Sequence, residues 1–167
     1  MSRIWTEAGF VPDDPWIIET DVLKADGEKR ALLPLEEFLV RVRQDNETGF
    51  GVLVQPADDV GKLAPHLGRI AIVAIAFPAF NDGRGFSHAA LLRERLGYEG
   101  EIRAVGDVLI DPVPLMLRCG FDSFSVTNDV AIRRLSERRL PGISLHYQPA
   151  ARIARDARSY SWRRLAK

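Results

Sequence analysis

The chain has 167 residues, 46% of them hydrophobic and 28% charged, values that fit one globular domain and set aside disordered, collagen-like and disulfide-scaffold classes. Lys plus Arg equals Asp plus Glu at 23 each, so no global charge excess draws the chain to nucleic acid or to a membrane surface. Charge is nevertheless uneven: residues 1–83 hold 8 basic and 14 acidic side chains, residues 84–167 hold 15 and 9, giving poles of −6 and +6.

A single cysteine, Cys119, excludes an intrachain disulfide, a CxxC pair and a Cys-ligated iron–sulfur or structural zinc site built from this chain alone. A reducing compartment follows. The N-terminus MSRIWTEAGF lacks the basic flank and apolar stretch of a signal peptide, and the longest apolar run, Ile70 to Phe80, is too short to span a bilayer. The expectation is a cytoplasmic protein with no membrane partner.

In chain order, residues 1–33 read as an irregular or short-stranded N-terminal extension or hairpin, with turns at Pro12-Asp13-Asp14-Pro15 and Ala25-Asp26-Gly27-Glu28. Pro34 then opens a helix whose apolar positions Leu35, Phe38, Leu39 and Val42 fall at i, i+3, i+4, i+7. Short β-rich runs follow at Phe50–Gln55, Ile70–Phe77, Ile102–Val105, Ser123–Val126 and Ile143–Tyr147. The middle runs are nearly continuous apolar or small residues, as expected when helices cover both faces of a parallel sheet or its barrel equivalent. Between them, Ser87 caps a helix ending at Gly97, Asp111-Pro112 opens one ending at Gly120, and Thr127 or Asn128 caps one that stops before Pro141. The pattern predicts an α/β fold, a mostly parallel sheet of about five strands in βα units, as an open doubly wound sheet or a half-barrel. Residues 152–167 form a basic C-terminal tail on the same domain.

Either architecture puts ligands beyond the carboxyl ends of the strands, where one segment stands out: Phe77-Pro78-Ala79-Phe80-Asn81-Asp82-Gly83-Arg84-Gly85-Phe86-Ser87. It leaves a buried strand, passes two glycines and enters a helix. Asn81, Gly83, Arg84, Gly85 and Ser87 together form an anion-receiving loop, with backbone N–H groups, a helix start and a guanidinium fork converging. The alternative is a tight turn in which Asp82 and Arg84 serve the backbone. The spacing is neither GxGxxG nor GxxxxGK[ST], and no cofactor is expected. A second segment, Arg103-Ala104-Val105-Gly106-Asp107, ends a strand in Gly-Asp. Arg103 is a ligand-binding candidate there, and Asp107, like Asp82, an acid–base candidate; the alternative for Asp107 is a helix cap or an ion pair with Arg84 or Arg103. These charged residues are expected to cluster at the carboxyl edge.

Cys119 sits at a helix end where a thiolate is disfavoured, and His66, His88 and His146 lack metal-ligand spacing. The tail interleaves Arg152, Arg155, Arg158, Arg163, Arg164 and Lys167 with Tyr160 and Trp162; a solvated or docked terminal helix is the reading preferred over a nucleic-acid grip.

The block from Phe77 to Phe124, FPAFNDGRGFSHAALLRERLGYEGEIRAVGDVLIDPVPLMLRCGFDSF, resembles the signature of a bacterial domain family of unknown function, number nine-three-four, often labelled a probable oxidoreductase involved in sulfite reduction. Asp14-Pro15-Trp16, Pro34-Leu35, Gly51-Val52 and Tyr147-Gln148 also fit, whereas the family's usual Arg-Asp-Gln step is here Ile110-Asp111-Pro112. The resemblance implies an accessory protein of assimilatory sulfite reduction that binds an oxyanion or sulfite reductase. The oxidoreductase label finds no Rossmann fingerprint, cysteine pair or cluster-ligand set in these residues. The second hypothesis is a small α/β enzyme acting on an anionic substrate, with Asp82 or Asp107 as acid–base.

Overall fold

The computed structural model describes residues 2–18, 30–44, 46–79 and 82–142. Eight strands form one sheet: β1 (Arg3–Thr6), β2 (Gly9–Val11), β3 (Trp16–Ile18), β4 (Arg30–Pro34), β5 (Phe50–Val54), β6 (Ile70–Phe77), β7 (Glu101–Gly106) and β8 (Ser123–Val126). Their spatial order is β2-β1-β8-β7-β6-β5-β4-β3. From β3 to β8 the strands are parallel and follow chain order, whereas β1 runs antiparallel to both β8 and β2. Strands added always on the same side, through crossovers of one hand, leave the successive crossovers from β4 to β8 on one face of the sheet.

The connecting helices are α1 (Leu35–Gln44), α2 (Arg84–Ala90, continued by a π-helical turn over Leu91–Arg95), α3 (Val113–Cys119) and α4 (Asp129–Ser136). A 3₁₀ helix over Val60–Arg69 joins β5 to β6. Sequence periodicity gave no warning of it, because Val60 and Leu63 are its buried residues and Pro65 interrupts any longer α pattern.

The short link between β2 and β3 dictates the overall shape. Laid flat, eight strands would hold these two edges seven spacings apart, ~33 Å at about 4.8 Å each. Residues 12–15 join Val11 to Trp16 and, fully extended, reach no more than ~18 Å. The edges therefore turn toward each other, and the sheet is a curled, open half-barrel with residues 12–15 as a strap.

The two faces of the sheet have different neighbours. On the convex face Leu33, Val52, Val73, Ile75, Phe77, Ile102, Phe124 and Val126 share one core with Phe38, Leu39, Ala89, Leu92, Met116 and Leu135 from the helices. On the concave face Leu32, Leu53, Ile72, Ala74 and Val105 form a second apolar cluster with Trp16 and Ala76 against it and no helical residue in it. Gly51 is glycine for a packing reason: a Cβ there would run into the Trp16 ring and Leu32.

Four expectations are corrected. The sheet is mixed, with six parallel strands and two antiparallel ones, because the first two strands return as a hairpin against β8. Residues 1–33 are short-stranded and open on a hairpin, as read, but they do not stand apart from the sheet: their described part supplies β1–β3 and opens β4, and thus both edges. Among the described residues the helices cover one face rather than two. Ser87 lies inside α2, whose first turn is served by the Asp82 carboxylate. The run Ile143–Tyr147 and the basic tail fall outside the described residues.

Candidate functional site

At the carboxyl edge, the loop after β6 is paired internally. Asp82 Oδ1 accepts the Arg84 backbone N–H at 3.1 Å and its Nε–H at 3.0 Å, while Oδ2 accepts from Nη2 at 2.7 Å. The Arg84 hydrogen bonds hold the Asp82 carboxyl below the usual carboxylate range. Gly83 is exposed just before the helix, and Ser87 is exposed within it. Gly85 is buried against Phe77, and a Cβ there would press on the ring, so this glycine serves packing. Asn81 lies outside the described residues. His88, one turn on, has a buried Nδ1 without a hydrogen-bond partner, and burial lowers its pKa against the opposing pull of Asp58.

Asp107 shares that edge, since its N–H donates to the Phe77 carbonyl at 2.7 Å and ties the ends of β6 and β7 together. Its side chain is exposed. Arg103 is placed elsewhere. Alternation along β7 puts Ile102 and Ala104 on the convex face and Glu101, Arg103 and Val105 on the concave one. The bonds of Arg103 run to Asp14, Glu101 and Ser123, and those of Arg84 run to Asp82. The four charged residues expected in one cluster are thus divided between the carboxyl-edge loops and the concave face.

The Arg103 side chain is only 5% exposed, and its guanidinium is the centre of a network. Nη1 and Nη2 each donate to one Asp14 oxygen at 2.7 Å, a bidentate pair across 89 residues of sequence. Nε donates to Glu101 Oε1 at 3.1 Å and to Ser123 Oγ at 3.0 Å, and Nη2 also reaches Glu101 Oε1 at 2.8 Å. The Ser123 hydroxyl donates to the same Glu101 oxygen. Burial opposes the charged form of Arg103, but Asp14 and Glu101 outweigh it and the pKa is raised.

This network forms one wall of a cavity of about 620 Å³ between the strap and β1, β7 and β8, with Ile4, Val11, Pro15 and Trp16 as apolar lining. A cavity of that size is in the range of small-molecule sites. Sequence reading found Arg103 but missed Asp14, Glu101 and Ser123 as its partners. Two charged residues at i and i+2 in an otherwise apolar strand, Glu101 and Arg103, were the available signal that one face of β7 is polar.

Elsewhere the polar groups staple the fold. Arg93 donates to the carbonyls of Tyr98, Gly100 and Gly120 at 2.5, 2.8 and 3.0 Å and pairs with Asp122, whose Oδ2 accepts the Ile102 N–H at 2.7 Å. Burial pushes the Cys119 thiol up, away from nucleophilic character. Among the described residues no three of His, Cys, Asp and Glu converge closely enough to hold a metal ion, and no helix is long and apolar enough to cross a membrane.

A family model described as "Bacterial protein of unknown function (DUF934)" matches residues 51–162. The chain belongs to this family. Neither a curated protein nor a solved structure matches it. The DUF934 match runs from β5 onward, so it includes Asp82, Arg84, Glu101, Arg103 and Ser123. Asp14, the partner that the strap delivers to Arg103, lies outside it.

Proposed function

We propose that this DUF934 protein is an accessory binding protein rather than an enzyme, acting in assimilatory sulfite reduction as the family resemblance implies. The observation that carries the reading is the Asp82–Arg84 pair. A general acid needs a pKa near the working pH, and Arg84 moves Asp82 the opposite way. The pair suits recognition better. The Arg84 side chain is 60% exposed, Asp82 takes its Nε and Nη2, and Nη1 has no bond to a described residue. That free edge is open to an oxyanion such as sulfite or to a carboxylate on a protein partner such as sulfite reductase.

The test is calorimetry with sulfite and phosphate, beside capture of purified sulfite reductase, on the wild type and two variants. Arg84→Lys keeps the charge and loses the planar fork, so binding weakens. Arg84→Ala weakens it further, by roughly 1.5–3 kcal/mol for one charge-assisted bond. Equal affinities across the three folded proteins remove Arg84 from the site. Turnover of an anionic substrate that disappears in Asp82→Asn restores the enzyme reading.

A further inference from the structure

His88 stands beside the Asp82–Arg84 pair and takes no part in it. It follows Arg84 by four residues on α2, the spacing that puts two side chains on one helix face. Its ring lies in the field of Asp82 and Arg84 and of Asp58 and Asp59, which come from the turn between β5 and the 3₁₀ helix. The two ring nitrogens differ in their surroundings. Nδ1 is buried without a hydrogen-bond partner, whereas Nε2 is neither enclosed nor bonded to a described residue. A proton on Nδ1 would be a donor shut away from any acceptor, so the neutral ring carries its proton on Nε2. That N–H is an open donor, and the nearby carboxylates are otherwise engaged: Asp58 accepts the Gln55 N–H at 2.7 Å, Asp59 accepts the Gly61 N–H at 2.9 Å, and Asp82 holds Arg84.

We infer that His88 is the second binding residue of the carboxyl-edge site, its Nε2–H donating to one oxygen of an anion whose other oxygens meet the free edge of Arg84. This deepens the oxyanion reading of the Arg84 loop and rests on it. Two donors on successive helical turns, about 5–6 Å apart at their Cβ atoms, suit an ion that offers oxygens in more than one direction. The pair also makes affinity depend on pH. Burial holds the His88 pKa below 6.5 against the pull of Asp58, so near pH 7 the ring supplies one neutral N–H. As the pH falls the ring gains a positive charge that a bound anion stabilises, and binding tightens. Asp82 keeps its charge through that window, because Arg84 holds it below the usual carboxylate range.

The test is calorimetry with sulfate, whose charge is constant between pH 7.5 and 5.5, on the wild type, Arg84→Ala, His88→Ala and His88→Gln. At pH 7.5 His88→Ala is expected to bind sulfate about two- to tenfold more weakly, the worth of one hydrogen bond. His88→Gln offers an amide N–H in place of Nε2–H and keeps most of the affinity, but loses the tightening that the wild type shows at pH 5.5. Where a variant does not fold, nitrogen NMR of the wild type decides: sulfate moves the His88 Nε2 resonance and shifts the ring's titration to higher pH. Sulfate binding that is lost in Arg84→Ala yet equal in wild type and His88→Ala overturns the role of His88 and leaves the Arg84 site standing. A His88→Gln protein with the wild-type pH response, or a His88 resonance that sulfate does not move, does the same. No sulfate binding by the wild type at millimolar concentration overturns both readings.

Discussion

At Arg103 a single guanidinium joins three separate stretches of chain: Asp14 in the strap, Glu101 on the same strand and Ser123 on the next. Removing it leaves two carboxylates facing each other with no counter-ion. Arg103→Leu is therefore expected to cost about 3–5 kcal/mol of stability, the range for stranding a buried charge, read from urea unfolding midpoints. Asp14→Asn together with Arg103→Leu should cost less than the sum of the two single changes, because they share one interaction. His88 makes a pH-dependent contribution. Burial lowers its pKa from 6.5, so at high pH both folded and unfolded forms are neutral and nothing is lost. As the pH falls below 6.5 the unfolded chain takes the proton first, and stability drops until the depressed native value is reached. His88→Gln should flatten the unfolding midpoint in that window, and an unchanged slope between pH 7.5 and 5.5 would contradict the assignment.

Individual elements divide by how much of their pattern is local. The runs Ile70–Phe77 and Ser123–Val126 match β6 and β8 end to end, since continuous apolar or β-branched residues bounded by turn residues leave few alternatives. α4 begins where Asn128 predicts: its side chain accepts from the Ala131 N–H at 3.0 Å, and Asn128→Ala should cost roughly 0.5–2 kcal/mol in a thermal melt. Ser87 misled because α2 starts three residues earlier, at Arg84, with Gly83 in the N-cap position and the Arg84 N–H donating to Asp82 Oδ1. The strands β1–β4 were hidden for a different reason: at three to five residues they are too short to show a period, and they become strands only by pairing with β5 and β8. β3 also depends on Gly51. Gly51→Val drives a side chain into Trp16 and should cost about 1–3 kcal/mol by overpacking, with Trp16 fluorescence shifting as the ring is displaced.

The whole molecule is shaped by a short strap drawing together the two edges of an eight-stranded sheet, with one ion pair fastening it inside. Asp14→Asn should loosen that fastening. Hydrogen exchange is then expected to rise in β1, β2 and β3, the strands nearest the edges, while β5, β6 and β7 at the centre keep their protection. Uniform acceleration would mean that the strap supports the entire fold. By itself the sequence determined the α/β class, most central strands, the existence of the helices between them and membership of the family, because each is written in local periodicity, capping residues or a contiguous block; the single face that those helices cover was not among them. It also placed Asp82 and Arg84 in one loop, as they are two residues apart. Only the tertiary structure decided that Arg103 belongs to the concave face and that Asp14, 89 residues away, is its partner. That contact exists because the sheet curls, and the curl follows from strand order and the length of one link, neither of which any local pattern of residues encodes.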